Sequence, residues 1–335
     1  IGAEGPVVIE NCQLARNVQL KGGFFSGAVF LDGANMGSGA HVRPGTILEE
    51  EASGAHTVGL KQTIFMPFVA AGSLINFCDA LMAGGTNRKN HSEIGSSYVH
   101  FNYTPHQDKA TASLLGDVPN GVFLDNNPIF LGGQGGLLGP ARIAYGSVVA
   151  AGGICRQDML EENQLMITSV PEAGSRPYQT GVYNRIDRIV RNNLIYIGNI
   201  IALREWYRHV RTQFIRDEFD RAALIGADKC LDMILQERSK RLGELAFKMN
   251  ASISWLEEND GNPEEITAQK RLESSWQDIE QNIFSMHIQP SDAFLKELHP
   301  GESYVESIQS LKPAGREAGQ AWLQSIVKAV ESCWK

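Results

Sequence analysis

Val18-Gln-Leu-Lys-Gly-Gly-Phe24-Phe-Ser-Gly-Ala-Val-Phe30-Leu-Asp-Gly-Ala-Asn-Met36-Gly-Ser-Gly-Ala-His-Val42-Arg-Pro-Gly-Thr-Ile-Leu48 carries an apolar residue at every sixth position. A second register, Leu131, Leu137, Ile143, Val149 and Cys155, keeps the same spacing. Six is a multiple of two, so strands with alternating faces carry it. A helix with 3.6 residues per turn cannot hold such residues on one face. Short strands that turn every six residues, each with an inward aliphatic side chain, build triangular coils. Stacked coils place strands ~4.8 Å apart and bury a continuous apolar column. Glycine and other small residues serve the corners, where positive φ is needed. The pattern predicts an all-β, hexapeptide-repeat parallel β-helix over residues 1–158. Loops are expected to leave the coil at 84–92 and 104–128, where the spacing breaks.

The rest of the composition agrees with two unlike halves. The chain has 335 residues, 43% apolar and 20% charged, enough for one large domain or two ordinary ones. Its 34 glycines concentrate in the first half. Residues 181–335 are rich in Glu, Arg, Leu, Ile and Gln instead. The stretch Pro171-Glu-Ala-Gly-Ser-Arg-Pro177 reads as a linker or cap, within a connecting segment 159–180. No run of eighteen apolar residues suggests a membrane span. A net charge of -8 argues against sequence-independent nucleic-acid binding. Cys12, Cys78, Cys155, Cys230 and Cys333 are scattered and odd in number, which fits reduced thiols in a cytoplasmic protein and no zinc or other metal site. The segment opening at Ile1 is already patterned and shows no signal-peptide pattern, so a processed or excised piece of a longer protein is expected.

Residues 184–214 keep helical spacing through Ile186, Ile189, Leu194, Ile197, Ile201, Tyr207, Val210 and Phe214. A later stripe runs Leu224, Leu231, Leu235, Leu242, Leu245 and Met249, interrupted at Asp228 and Arg238. An all-α antiparallel helical bundle domain over 181–335 is the predicted form. Asn259–Pro263 reads as a turn, and Ser291 or Asp292 as a cap. Arg185, Arg188, Arg191, Arg204, Arg208, Arg211 and Arg216 form a basic run. It could bind phosphate or an acidic partner, but the acidic residues between 205 and 244 favour a neutralised, solvated face.

Five segments, in order, carry a resemblance to a known family. They are His41-Val-Arg-Pro-Gly45, Val58-Gly-Leu-Lys61, Ile94-Gly-Ser-Ser-Tyr-Val-His-Phe-Asn-Tyr103, Val122-Phe-Leu, and Ala141-Arg-Ile-Ala-Tyr-Gly-Ser-Val-Val-Ala-Ala-Gly152. Residues 41–155 resemble the acetyltransferase domain of the bacterial bifunctional N-acetylglucosamine-1-phosphate uridylyltransferase / glucosamine-1-phosphate acetyltransferase family. The resemblance implies a left-handed coil, a homotrimer, and a groove between subunits that holds acetyl-CoA and a sugar phosphate or nucleotide sugar. It implies that Arg43 and Lys61 hold the phosphate, a task suited to fixed cations. Asn102 and Tyr103 would line the groove, with Lys109 near the family's next basic position. Ala151 would meet the acetyl-CoA arm through its backbone, and Asn126 stands at the place of a family serine.

Other positions depart from the family. Asp79 stands where the family has its catalytic histidine, and Met82 where it has a tyrosine. Ser169 replaces a late arginine. The uridylyltransferase signature is absent, so that activity is not expected in this chain. A carboxylate at its ordinary pKa is a weak base for an ammonium ion. His91, His100 and His106 flank the Asn-Tyr segment, and one could serve as the base instead; metal binding and simple packing are the other readings. Two functions stay open. One is an acyltransferase of UDP-N-acetylglucosamine metabolism. The other is a catalytically altered scaffold that binds a nucleotide sugar or a partner through its helical tail.

Overall fold

The computed structural model describes residues 1–168, 172–175, 177–301 and 303–334. Ser169 and part of the Pro171–Pro177 segment lie outside the described residues.

Three stacks of parallel strands form a β-solenoid. The first face runs through Val7–Glu10, Gly23–Ser26, Ala40–Val42, the first halves of Val58–Phe65 and Ile75–Met82, then Val99–Phe101, Gly136–Leu138 and Ile154–Cys155. The second runs from Gln13–Leu14 through Ala28–Phe30 and Thr46–Leu48 to Ser113–Leu115 and Arg142–Ile143. The third is an eight-stranded stack that includes Gln19–Leu20, Ser53–Gly54, Phe130–Leu131 and Leu165–Met166. Register pairs Phe30 with Leu48, Leu131 with Val149 and Leu137 with Cys155, three hexapeptides apart. All five residues of the 131–155 register are buried in the core.

The first register holds less strictly. Phe24 points outward, half-buried, and stacks on His41 at 5.2 Å between ring centroids. Its neighbour Phe25 fills the core instead, aligned with Val42. Steps of five residues, Leu20 to Phe25 to Phe30, absorb the shift. The corners show why small or polar residues recur. Gly27, Gly45, Gln62 and Asp79 all have positive φ and stack along the edge between the first and second faces. Glycine takes this conformation without strain, and Asp tolerates it better than most residues.

Two excursions leave the coil. Gly85–Asn87 and Asn90–His91 form an antiparallel hairpin, within the expected 84–92 interruption. The expected 104–128 loop is instead divided, because Ser113–Leu115 returns as a rung paired to both neighbouring coils. What remains is a loop at 102–112 and a segment holding the short helix α1 (Val118–Gly121).

The C-terminal region is helical: α2 (Ile186–His209), α3 (Glu218–Glu258), α4 (Pro263–Ser285), α5 (Asp292–Glu297), α6 (Tyr304–Gln309) and α7 (Pro313–Ser332). Ser291, one of the two caps the sequence offers, caps α5, and Asn262 within the expected turn caps α4. Among the described residues no helix is long and apolar enough to cross a membrane. The helices share one apolar core with the solenoid.

Helix α3 climbs the solenoid edge. Gly226 lies so close to Gln13 that an added Cβ would sit 2.5 Å from its Cγ. Cys230 meets the Gly27 carbonyl, Arg238 meets Asp79, and Lys248 meets the carbonyls of His106 and Gln107. The dimensions match. Eight residues from Cys230 to Arg238 rise about 12 Å, and the three coils from Gly27 to Asp79 rise about 14 Å.

The arginine run is not a solvated face neutralised only by its own helices. Arg211 is buried and bonds Glu49 at 2.8 Å and Glu50 at 2.7 Å on the solenoid, while Tyr207 donates to Glu49 at 2.7 Å. Arg188 pairs with Asp158, and Arg216 with Asp32. Much of the run therefore docks the helices on the coil.

Candidate functional site

The edge that α3 climbs gathers most of the residues singled out from sequence. Just before each corner, one side chain points outward. Cys78 pairs in register with Lys61, and the Arg43 amide extends the same ladder to Leu60 at 2.9 Å. Arg43, Lys61 and Cys78 therefore stand one above another. Arg43 Nη2 donates to Cys78 Sγ at 3.5 Å, while its Nε is buried without a partner. Among the described residues, neither Arg43 nor Lys61 forms a salt bridge to a carboxylate. Burial pushes the Cys78 thiol up, against the pull of Arg43, so this sulfur stays protonated.

Across from them α3 presents Glu237, Lys240 and Arg241, leaving an open cleft of about 570 Å³. That is within the range of small-molecule sites. Arg241 is held at 2.7 Å by both Glu237 and Glu244. Burial acts to raise the Glu237 carboxyl. The hydrogen bond and charge of Arg241, with Arg238 and Lys61 nearby, outweigh it and hold the group below the usual carboxylate range.

One coil further along, Asp79 is buried at its corner. Arg238 Nη2 donates to Oδ1 at 2.8 Å, and Asn102 Nδ2 donates to Oδ2. Arg238 also donates to the Lys109 carbonyl at 3.1 Å, and its side chain is 1% exposed. Each oxygen of Asp79 thus accepts a hydrogen bond, and the one from Arg238 is charge-assisted. Tyr103 is exposed, with Lys109 Nζ 5.8 Å above its ring.

His100 lies beneath this group, in the core. Ala141 N–H donates to Ser113 Oγ at 3.0 Å, and the Ser113 hydroxyl is 2.8 Å from His100 Nε2. On the other side His100 Nδ1 donates to the Cys78 carbonyl at 2.5 Å. Burial lowers the pKa of the ring. A neutral imidazole with its lone pair already engaged completes the chain. His106 sits at the loop tip, where Nδ1 accepts from the Gly181 amide at 3.0 Å and the ring packs between Tyr178 and Tyr183.

Three positions lie on other edges. His91 belongs to the hairpin, paired with Gly85, whose amide donates to the Asn126 carbonyl at 3.0 Å. Asn126 Nδ2 donates to the Asn120 carbonyl at 3.0 Å. Ala151 is exposed at the third edge, where Gly152 bonds Gly133. Within one chain the structure brings together Arg43, Lys61, Asp79, His100, Asn102, Tyr103 and Lys109. It does not bring His91, Asn126 or Ala151 to them. Among the described residues no three His, Cys, Asp or Glu side chains converge as metal ligands.

Sequence reasoning missed Arg238 and the α3 wall of the cleft. The signal was present: Arg238 interrupts the apolar stripe between Leu235 and Leu242, and a charge on a buried face needs a buried partner.

No family model matches the chain. It is 28% identical over 166 residues to the bifunctional protein GlmU of Nitratidesulfovibrio vulgaris, covering 48% of this chain and 32% of the relative. Against the bifunctional protein GlmU of Thermotoga maritima it is 24% identical over 156 residues, 46% of this chain and 31% of the relative. The match spans about a third of the length of these curated relatives. Among solved structures, a UDP-N-acetylglucosamine acyltransferase from Campylobacter jejuni aligns over 78% of this chain and 92% of its own, with 14% identity and a TM-score of 0.32. About half of this chain therefore resembles the acetyltransferase domain of GlmU.

Proposed function

We propose that this chain binds a sugar phosphate or nucleotide sugar in the cleft between Arg43, Lys61 and helix α3, on a left-handed solenoid of the acyltransferase type. One observation carries the reading: two cations on adjacent coils line an open cleft and, among the described residues, form no salt bridge to a carboxylate. Most other arginines at the junction of solenoid and helices are matched to Asp or Glu. Cations left without partners beside a cleft suit a phosphate supplied from outside.

The relationship to GlmU supports a second reading, in which the bound amino sugar is acetylated from acetyl-CoA. The amine would attack the thioester carbonyl, backbone N–H groups would stabilise the oxyanion, and CoA thiolate would leave as a base takes the ammonium proton. The bases expected from sequence beside the cleft suit that last step poorly. Asp79 is held by two donors, and the His100 lone pair is engaged. We therefore read binding as the primary role, with Asp79 and Arg238 anchoring α3 (a positioning pair). The first solenoid face exposes Val8, Phe101, Leu138 and Ile154, and we read it as the packing face of a homotrimer. We take residues 1–158 and 181–335 as the two domains, with 159–180 adding a last solenoid rung at Leu165–Met166 before it joins them, and the two working as one body across α3.

Calorimetry with glucosamine-1-phosphate and UDP-N-acetylglucosamine tests the primary reading. Arg43→Ala and Lys61→Ala should each weaken binding about tenfold or more while the melting temperature holds. Unchanged affinity in both variants would sink the reading. Release of CoA from acetyl-CoA, followed with a thiol reagent, decides whether transfer accompanies binding.

A further inference from the structure

The cleft has two basic walls, and only one belongs to the solenoid. Arg43 and Lys61 line one side; Lys240 and Arg241, consecutive on α3, line the other. Among the described residues Glu237 is the one carboxylate that lines the cleft, and it is bonded to Arg241 at 2.7 Å. Arg241 would keep an anionic partner without it, because Glu244 lies equally near on its other side. Lys240 is loosely held, 3.9 Å from Glu244, with a side chain that is 62% exposed. Helix α3 itself is fixed in place by contacts above and below the cleft, at Cys230 with Gly27 and at Arg238 with Asp79.

A single phosphate needs only one such wall. Four cations on opposite walls match two linked anionic groups, each able to take charge-assisted hydrogen bonds from its own side. Glu237 then acts as an internal counter-ion that occupies Arg241 until an external anion displaces it. Building on the binding role proposed above, we infer that α3, not a second subunit, completes the cleft, that its ligand carries a diphosphate spanning both walls, and that Glu237 competes with that diphosphate for Arg241. A nucleoside diphosphate sugar has this chemistry; a sugar monophosphate does not.

Titration calorimetry with inorganic pyrophosphate and inorganic phosphate on the full chain tests the inference. Pyrophosphate should bind about tenfold tighter than phosphate, and Lys240→Ala combined with Arg241→Ala should erase that advantage while phosphate affinity is kept. Lys240→Glu, at an exposed position, guards against a folding artefact and should act in the same direction. Glu237→Gln should tighten pyrophosphate binding several-fold, an effect that a purely structural carboxylate would not produce. Affinity should not change as the protein is diluted through any dissociation seen by sedimentation. Equal pyrophosphate affinity in wild type and the Lys240/Arg241 variants overturns the inference and leaves the Arg43–Lys61 site standing. Loss of affinity on dilution assigns the second wall to a neighbouring subunit and also overturns it. If Arg43→Ala leaves both anions bound as before, the underlying binding role itself fails.

Discussion

Arg43 with Lys61, and Asp79 with its α3 partner Arg238, meet at the same solenoid edge, and they could hardly be treated more differently. Among the described residues Arg43 and Lys61 form no salt bridge to a carboxylate, and both line an open cleft. Asp79 is enclosed, with a donor on each oxygen, and its partner Arg238 is among the largest fully buried side chains of the protein. Desolvating a charge is costly, so a folded chain keeps unmatched charges near water and matched ones inside. The difference separates two jobs that lie close together. Charges satisfied within the molecule hold it together; charges left open await something from outside. Asp79, which the sequence reading sets at the place of a catalytic histidine, instead finds its partner in Arg238 of α3.

The largest effect should come from breaking the closed pair. Arg238→Ala leaves Asp79 buried without its counter-charge and should cost about 3–5 kcal/mol, read from the urea midpoint. Combining Arg238→Met with Asp79→Asn removes both charges, keeps a residue that accepts the left-handed corner, and should recover most of that loss. A cost below about 1 kcal/mol for Arg238→Ala would mean that Asp79 is well solvated, and its role as a base would have to be reopened.

How much of this was readable beforehand depends on whether a feature is local. The 131–155 register was plain, because each inward residue repeats within one coil and its chemistry is set by the coil alone. Phe24 was placed one residue off, because steps of five and six residues both close a corner and spacing does not tell them apart. Arg43 and Lys61 stood out through their motif segments, and the structure places them one above the other on one edge. Arg238 and Asp79 were each visible as oddities, one breaking a helical stripe and the other replacing a histidine. They are 159 residues apart, and no periodicity links them. The arginine run was legible only in part: Arg204 and Arg208 pair with Asp232, Glu205 and Asp228 on the helices, as expected, whereas Arg188, Arg211 and Arg216 reach Asp158, Glu49, Glu50 and Asp32 on the solenoid, which no local window contains.

His100 sharpens the contrast, because it is a closed group with a titration in reach. Burial lowers its folded-state pKa, whereas in the unfolded chain a histidine titrates near 6.5. Its contribution to stability is therefore complete above about pH 6.5. Below that, the unfolded chain takes up a proton that the folded chain does not, and stability falls by up to about 1.4 kcal/mol per pH unit. The loss continues until pH drops past the folded-state pKa. Denaturation midpoints at pH 7.5, 6.5 and 5.5 should show this bend, and His100→Gln should flatten it whatever its own stability. An unaltered slope in that variant would place the titrating group elsewhere.

The smallest effects should come from the two histidines outside the core, and they test the open side of the comparison. His106 accepts a single backbone N–H, from Gly181, so His106→Ala should cost about 0.5–1.5 kcal/mol. His91 has only a 3.2 Å contact to the neighbouring Ser92 carbonyl, and His91→Ala should stay within about 0.5 kcal/mol. Neither lies in the Arg43–Lys61 cleft, so neither change should alter phosphate or pyrophosphate affinity by as much as twofold. CoA release gives the decisive readout for these two residues. A transferase that uses one of them as its base would lose turnover in that variant with its fold and anion binding intact. Because Ala at either position removes the imidazole but little else, such a selective loss would separate chemistry from packing. It would also require the histidine to reach the cleft from another edge or from another copy of the chain, and that would return the catalytic reading to a groove between subunits.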